Sequence, residues 1–191
     1  MIKTKEDLYD YLNRDKVALR CKNLSHPRIG RDEIWKYERL LRYVEYYTNN
    51  KKGIIKNILY LFYKIRFHKM SLKLGFSIPV NVFGKGLSIA HYGSLVVNSN
   101  AKIGNNCRIQ ENVTIGSTGG SSKAPIIGDN VFIASGARII GNIVIANNIA
   151  IGANAVVTKS FTEEGITIAG IPAKKISNNG SNSFIVKELI D

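Results

Sequence analysis

A six-residue repeat runs through the second half of the sequence and constrains the fold more than any other feature. From Val97 to Val157 an aliphatic side chain occupies every sixth position, and Ser121 is the one break in the series. The ten aliphatic positions are Val97, Ile103, Ile109, Ile115, Ile127, Ile133, Ile139, Ile145, Ile151 and Val157. A helix needs a period of about 3.6 residues, and an antiparallel meander needs longer alternating segments. The spacing therefore predicts a solenoid of short parallel strands, with each aliphatic residue packed on its equivalent in the next coil.

Length and composition suit one domain with an appendage. The chain has 191 residues, of which 45% are hydrophobic, and only two cysteines. These values exclude general disorder and a disulfide scaffold, and they indicate a reduced, intracellular protein. The charged N-terminal segment lacks the apolar stretch of a signal peptide, and no apolar run is long enough to span a membrane. We therefore expect a cytoplasmic protein, with the inner face of the membrane as an additional place of contact.

Positive charge is concentrated in the N-terminal third. The formal net charge is +13, and residues 51–75 carry seven Lys or Arg and no acidic residue. Such a surface suits nucleic acid, anionic lipid or a phosphorylated small molecule. Zinc-finger spacing and an aromatic RNA-binding signature are both missing from the sequence, so we expect no nucleic-acid partner.

Three helices are predicted before the repeat, over residues 4–14, 31–49 and 53–70. In the third, apolar residues recur at helical spacing among basic residues and tyrosines. The pattern is compatible with a face packed on the rest of the protein. The alternative is a peripheral membrane helix.

Two interruptions of the repeat carry candidate chemistry. The glycine- and serine-rich hexad around Ser121 cannot pack as core, so we expect it to protrude as a loop. His91 stands one hexad before Val97, and a neutral imidazole can accept a proton from a hydroxyl near neutral pH. The other histidines, His26 and His68, share no metal-ligand spacing with it, so we expect no metal.

Three sequence segments resemble the serine acetyltransferase branch of the hexapeptide-repeat acyltransferases. They are Gly84-Lys-Gly-Leu-Ser-Ile-Ala-His91, Val113-Thr-Ile-Gly-Ser-Thr-Gly-Gly120 and Ala169-Gly-Ile-Pro-Ala-Lys174. The resemblance covers about residues 75–176. It implies a mainly β fold, a left-handed parallel β-helix, and homotrimers, with dimers of trimers as an option. The expected organisation is an α-helical region at 1–75, a β-helix acyltransferase domain at 76–176 and a C-terminal tail at 177–191.

The resemblance also implies an activity and a set of site residues. His91 would act as general base in direct transfer of acetyl from acetyl-CoA to a hydroxyl, and backbone N–H groups near Gly116 would stabilise the oxyanion. No nucleophilic cysteine is required, so Cys107 is interpreted as core. Coenzyme contacts are expected at Gly116, Ser135, Ala153, Thr158, Lys159 and Lys174.

At three positions the sequence differs from the serine acetyltransferase branch in a way that affects which acceptor can bind. Phe76 and Ala90 replace aspartates, and Ala124 replaces a histidine of the protruding loop. A zwitterionic amino acid needs charged partners when it is buried. We therefore expect a sugar hydroxyl in surface polysaccharide synthesis as the acceptor. Two alternatives stay open: serine O-acetyltransferase activity in cysteine biosynthesis, and a non-catalytic β-helix that only assembles with partners.

Overall fold

Three helices precede a β-helix in the computed structural model, which describes residues 1–190. The helices are α1 (Lys5–Ala18), α2 (Glu33–Asn49) and α3 (Ile54–Leu74). Helix α1 begins at a capping box, in which Thr4 Oγ1 accepts from the Asp7 N–H and the Asp7 carboxylate accepts from the Thr4 N–H. Helix α3 ends at Gly75, whose φ of +79° favours glycine. The helices lie where the sequence predicts them, although α1 and α3 extend one turn further.

Fourteen short strands follow α3. Their bounds are β1 (Phe76–Ser77), β2 (Ser88–Ile89), β3 (Leu95–Val97), β4 (Lys102–Ile103), β5 (Arg108–Ile109), β6 (Val113–Gly116), β7 (Ile126–Ile127), β8 (Phe132–Ile133), β9 (Arg138–Ile140), β10 (Val144–Ile145), β11 (Ala150–Ile151), β12 (Val156–Val157), β13 (Thr167–Gly170) and β14 (Ala173–Ser177). They form three sheets, in the orders β1-β3-β6-β9-β12, β4-β7-β10 and β2-β5-β8-β11-β13-β14. All of these strand pairs are parallel except β13–β14, in which antiparallel β14 closes one edge, and the strands form the predicted parallel β-helix.

The strand register confirms the protruding loop. Val144 pairs with Ile126, which lies three hexads earlier, and three hexads are the length of one coil. Across the segment that contains Ser121, Ile126 pairs with Lys102, which lies four hexads earlier. The difference is one hexad, and residues 118–123 are exposed. The repeat therefore keeps its phase because one whole hexad leaves the coil.

The inward positions form a continuous core along the β-helix. Each of the ten aliphatic positions of the repeat is at most 5% exposed. At one corner the coil turns at asparagines with positive φ, and their amides hydrogen-bond from coil to coil: Asn106 Nδ2 donates to Asn130 Oδ1 over 2.8 Å, and Asn130 Nδ2 to Asn148 Oδ1 over 2.9 Å. Asparagine tolerates this left-handed conformation better than most residues, which explains the asparagines at the turns.

A buried ionic cluster joins the helices to the first coil. The Arg42 guanidinium is fully buried and donates to Asp15 Oδ2 over 2.7 Å and to Glu45 Oε2 over 2.9 Å. It also donates to the carbonyls of Phe83 and Gly84. Burial alone would lower the pKa of Arg42, but the two carboxylates hold that pKa above its ordinary value. The cluster fixes the chain that leads into β2.

The C-terminal segment packs on its own chain. Ile185 and Leu189 are buried against Ala18 of α1, and a 3-10 helix spans Lys187–Leu189. Asp191, the last residue of the predicted tail, lies outside the described residues. Within residues 1–190, no helix has the length and apolarity that crossing a membrane requires.

Candidate active site

His91 lies in the turn between β2 and β3, and its side chain is exposed. The hexapeptide spacing put it in phase with the inward aliphatic residues, and this phase is wrong. Strand β2 pairs with β5 so that Ile89 aligns with Ile109, an offset two positions longer than the three hexads of a regular coil. This insertion lets Ile89 fill the core position. His91 is left free to meet solvent or a ligand.

A cavity of about 470 Å³ opens beside His91, between the β-helix and the helical region. Its lining includes Arg31, Trp35 and Tyr92. The Trp35 side chain is almost completely buried, and its Nε1 has no hydrogen-bond partner within the described residues. Sequence analysis missed the contribution of α2 to this site, because the helical region carries no motif that could be matched.

A buried carboxyl group supports the strand before His91. Glu38 on α2 accepts a hydrogen bond at Oε1 from the Ile89 N–H over 2.9 Å, and its Oε2 has no partner within residues 1–190. Complete burial, reinforced by the negative charge of Asp15, raises the pKa of Glu38 well above its ordinary value. Burial therefore favours the neutral acid, and the hydrogen bond from Ile89 links α2 to the strand before His91.

Glu111 is a second residue that sequence analysis did not identify. Two extra residues lie in the turn that holds His91, because Ile89 aligns with Ile109 before this turn and Leu95 aligns with Val113 after it. A Cβ added at Gly93 would lie 3.1 Å from the Glu111 Cβ, which places this glutamate directly below the turn that follows His91. Its Oε2 is buried without a hydrogen-bond partner in the described chain. The sequence could have revealed the pair only if the insertion in this coil had been known.

Except for Lys174, the remaining predicted site residues fall on two different edges of the β-helix. The turns after β2, β5, β8 and β11 form the His91 edge, which contains His91, Ser135 and Ala153. The turns after β3, β6, β9 and β12 form the loop edge, which contains residues 117–125, Thr158 and Lys159. Strands of three or four residues separate the two edges by about 10–15 Å. One copy of the chain therefore does not bring His91 together with the protruding loop.

Both edges carry features that suit a long, flexible ligand. On the His91 edge the side chains of Ser135 and Ala153 are small, and the Ser135 carbonyl accepts from the Asn154 N–H of the next coil. On the loop edge Gly116 is the last residue of β6. The strand register aligns Gly116 with Ile140 of the next coil, and Ile140 with Thr158 of the coil after that. Lys159 is exposed there.

Lys174 lies away from both edges, on β14. It is exposed and forms no ion pair within the described residues, whereas its neighbour Lys175 pairs with Glu163. A cation in this position remains available to a ligand.

The three residues that differ from the serine acetyltransferase pattern are all apolar, and none of the three side chains carries a charge. Phe76 is buried and its ring contacts Tyr37 edge to face at 5.0 Å, while Ala124 is also buried. Ala90 supplies no charge beside His91.

Burial raises the pKa of the Cys107 thiol to about 12, which agrees with its interpretation as core. Within residues 1–190, no cluster of three or more His, Cys, Asp or Glu side chains is placed to hold a metal ion.

Known proteins share both the sequence of the β-helix and the whole fold. Over 104 residues the chain is 41% identical to a serine acetyltransferase of Staphylococcus aureus strain Mu50, a match that covers 53% of this chain and 48% of that protein. A serine acetyltransferase of Brucella abortus strain S19, solved in complex with coenzyme A, matches with a TM-score of 0.71 at 26% identity, over 93% of this chain and 70% of that one. The chain is serine acetyltransferase-like.

The structural likeness reaches further along the chain than the sequence likeness. A serine acetyltransferase solved in complex with cysteine matches over 94% of this chain and 70% of that one, with a TM-score of 0.72 and 25% identity. The helical region is therefore included, although its sequence gave no resemblance. The chain spans about half the length of the curated relatives it matches. No protein-family model matches it.

Proposed function

We propose that this chain transfers acetyl from acetyl-CoA to the hydroxyl of a small acceptor, with L-serine as the first candidate. The observation that carries the proposal is an exposed His91 opening on a cavity in a serine acetyltransferase-like β-helix. The names of the relatives support serine over the sugar acceptor that the sequence alone favours. Because acetyl-CoA is an intracellular metabolite, the proposed compartment is the cytoplasm.

His91 is the proposed general base. Its imidazole accepts the proton of the acceptor hydroxyl as the hydroxyl oxygen attacks the thioester carbonyl carbon. Backbone N–H groups at Gly116 and beyond stabilise the oxyanion. When the carbon–sulfur bond breaks, the imidazolium returns the proton to the departing thiolate. The products are the acetyl ester and free coenzyme A, and no covalent enzyme intermediate is needed.

Glu111 is proposed as the carboxylate that orients His91. The aspartate expected from the resemblance is absent, because Phe76 occupies its position. Glu111 lies in the next coil beside Gly93, two residues after His91, and has an unpartnered buried oxygen. We expect Glu111→Gln to lower kcat about tenfold or more, with little change in KM, and to shift the acidic limb of the pH profile, while Glu111→Asp retains part of the rate. An unchanged kcat and pH profile in Glu111→Gln would refute this role.

A site shared between copies of the chain follows from the two edges. The His91 edge of one copy has to face the loop edge of the next, and such a head-to-tail contact closes on itself in a threefold ring. The proposed assembly is a homotrimer, with a dimer of trimers as the larger form. Deletion of residues 118–123 and His91→Ala should each abolish activity, and co-assembly of the two variants should restore part of it. No recovery in mixed trimers would exclude a shared site.

The coenzyme is proposed to lie in the groove between copies. The small residues Ser135 and Ala153 admit its pantetheine arm on one side, and Thr158 and Lys159 contact it from the other. Lys174 and Lys159 offer positive charge for its phosphates as point contacts. These roles predict weaker coenzyme binding, with an unchanged rate at saturation, when Ala153 is replaced by a bulky residue such as Leu.

A sugar hydroxyl remains the second candidate acceptor, because of the cavity itself. Its volume of about 470 Å³ is in the range of pockets for larger ligands, and the exposed side chain of Tyr92 lines it. Aromatic faces pack well against the apolar faces of sugar rings. Phe76 and Ala90 supply no charge for an amino acid zwitterion.

Free-thiol release from acetyl-CoA tests the function and the acceptor together. The assay is run with L-serine and with a panel of free and nucleotide-linked sugars. His91→Ala should lose at least about 100-fold in rate and keep its affinity for coenzyme A. His68→Ala, at an exposed histidine of α3 that does not line the cavity, is the matched control and should keep full activity. Equal rates for wild type and His91→Ala, or no turnover of any acceptor, would favour the non-catalytic alternative.

A further inference from the structure

The outward face of α3 carries an apolar stripe that no part of the described chain covers. The outer stripe consists of Ile54, Ile58, Leu61, Ile65 and Leu72, spaced so that all five lie on one face of the helix. Their exposed fractions range from 47% to 80%. The stripe is about 27 Å long at 1.5 Å per residue. An apolar surface of this extent is typical of an interaction site.

The opposite face of α3 is the one that holds the helix in place. Tyr63 stacks on Tyr43 and Tyr47 of α2, with ring centroids 4.7 and 5.4 Å apart. Phe67 stacks on Tyr37 at 5.1 Å, and Leu74 is buried in the main core. The helix is therefore apolar on two sides, and only one of them is used to fold the protein.

Basic side chains flank the outer stripe on both sides. Lys64 lies on one side of the outer stripe, and Arg66, Lys69 and Lys73 lie on the other side at helical spacing. None of the seven Lys and Arg residues between 51 and 75 forms an ion pair within the described chain. Since this segment contains no acidic residue, its charge is not neutralised locally.

A cationic cavity adjoins the stripe. It has a volume of about 480 Å³, lies between α2 and α3, and is lined in part by Phe62. Four cationic side chains contribute to its lining: Lys36, Arg39, Arg66 and Lys69. An aromatic and aliphatic surface beside a pocket of guanidinium and ammonium groups matches a phospholipid, with acyl chains on the stripe and a phosphate in the pocket.

We propose that the outer stripe of α3 and its cationic cavity bind the surface of an anionic phospholipid membrane. A second copy of the chain is a poorer occupant, because two stripes facing each other would bring together two segments of the same uncompensated positive charge. Anionic headgroups neutralise that charge, and the aliphatic side chains enter the acyl boundary. The proposal does not depend on the acetyl-transfer activity, which needs only the two β-helix edges.

Vesicle sedimentation tests the proposal with the full chain. We expect binding to vesicles of equal parts phosphatidylglycerol and phosphatidylcholine, weakening with added salt, and none to phosphatidylcholine alone. The variant Ile58→Ser/Leu61→Ser/Ile65→Ser should lose affinity about tenfold or more, and Arg66→Gln/Lys69→Gln should show a smaller loss and a weaker salt dependence. Ile29→Ser, at an exposed isoleucine outside the stripe, is the matched control and should bind like wild type.

The outcomes that would overturn the proposal are distinct. Wild-type protein that does not sediment with the anionic vesicles refutes it, as does a triple variant that binds like wild type. Sedimentation velocity of the same proteins without lipid identifies a second copy as the occupant if the triple variant has a lower molar mass. Thermal unfolding should show equal stability for wild type and both variants, because the replaced side chains are exposed.

Discussion

Replacing Arg42 by methionine should destabilise the protein strongly, because the buried charges of Asp15 and Glu45 would lose their cation. The guanidinium is fully buried and donates five hydrogen bonds, two to Asp15, one to Glu45 and two to main-chain carbonyls. In the variant, Asp15 keeps only the N–H groups of Gly86 and Leu87. Methionine fills most of the volume but satisfies none of the five acceptor contacts.

The expected loss in the free energy of unfolding is about 3–5 kcal/mol, the usual cost of removing one partner of a buried ion pair. For a chain of this length that corresponds to a fall in Tm of about 6–20 °C. The loss should also depend on pH. Without Arg42 the folded-state pKa values of Asp15 and Glu45 rise further above their unfolded values. Their unfavourable contribution is then absent at acidic pH, where both are protonated, and grows as the pH rises.

Urea unfolding followed by fluorescence measures this loss directly, because the chain has one tryptophan, the buried Trp35. Wild type and variant are compared at equal protein concentration, since assembly would stabilise both. Lys36→Met is the control on the same helix: its pair with Glu33, 3.3 Å apart, is partly exposed, and it should cost at most about 1 kcal/mol. A loss below about 1 kcal/mol for Arg42→Met, or one that does not change between pH 5 and pH 8, would contradict the reasoning.

Three further predictions concern the core and its titratable groups. Glu38→Gln keeps an acceptor for the Ile89 N–H, and because the folded-state pKa of Glu38 is raised, the stability of the wild type falls as the pH rises through that pKa. The urea midpoints of the two proteins should therefore agree in mild acid, and the variant should be the more stable protein in alkali. Ile133→Ala should cost about 2–5 kcal/mol by the same assay, and the half-exposed Ile126→Ala much less; equal losses would contradict the inward assignment. A thiol reagent should modify Cys21 but not Cys107 in the native protein, and rapid reaction of both would show that the core is more open than described.

The β-helix could be predicted from the spacing of residues alone, because each inward position recurs at a local interval and needs no knowledge of distant contacts. Ile109, Ile133 and Ile151 stack because they recur in phase, and the loop around Ser121 leaves the coil because its hexad has no apolar residue to bury. The helices were predictable for the same reason, from the spacing of their apolar residues and from Asn49-Asn50 and Gly53, which separate α2 from α3.

The surroundings of His91 depend on the folded chain. Two extra residues in the turn between β2 and β3 moved His91 out of phase with the core, and the same turn lies beside Glu111 of the next coil. The hexapeptide spacing cannot reveal extra residues within a turn. Arg31 and Trp35 line its cavity from the start of α2 and the turn before it, far from His91 in sequence, and the buried charges of Arg42 and Asp15 hold that helix in place. The separation of the two edges also belongs to the folded prism, because it depends on which turn follows which sheet.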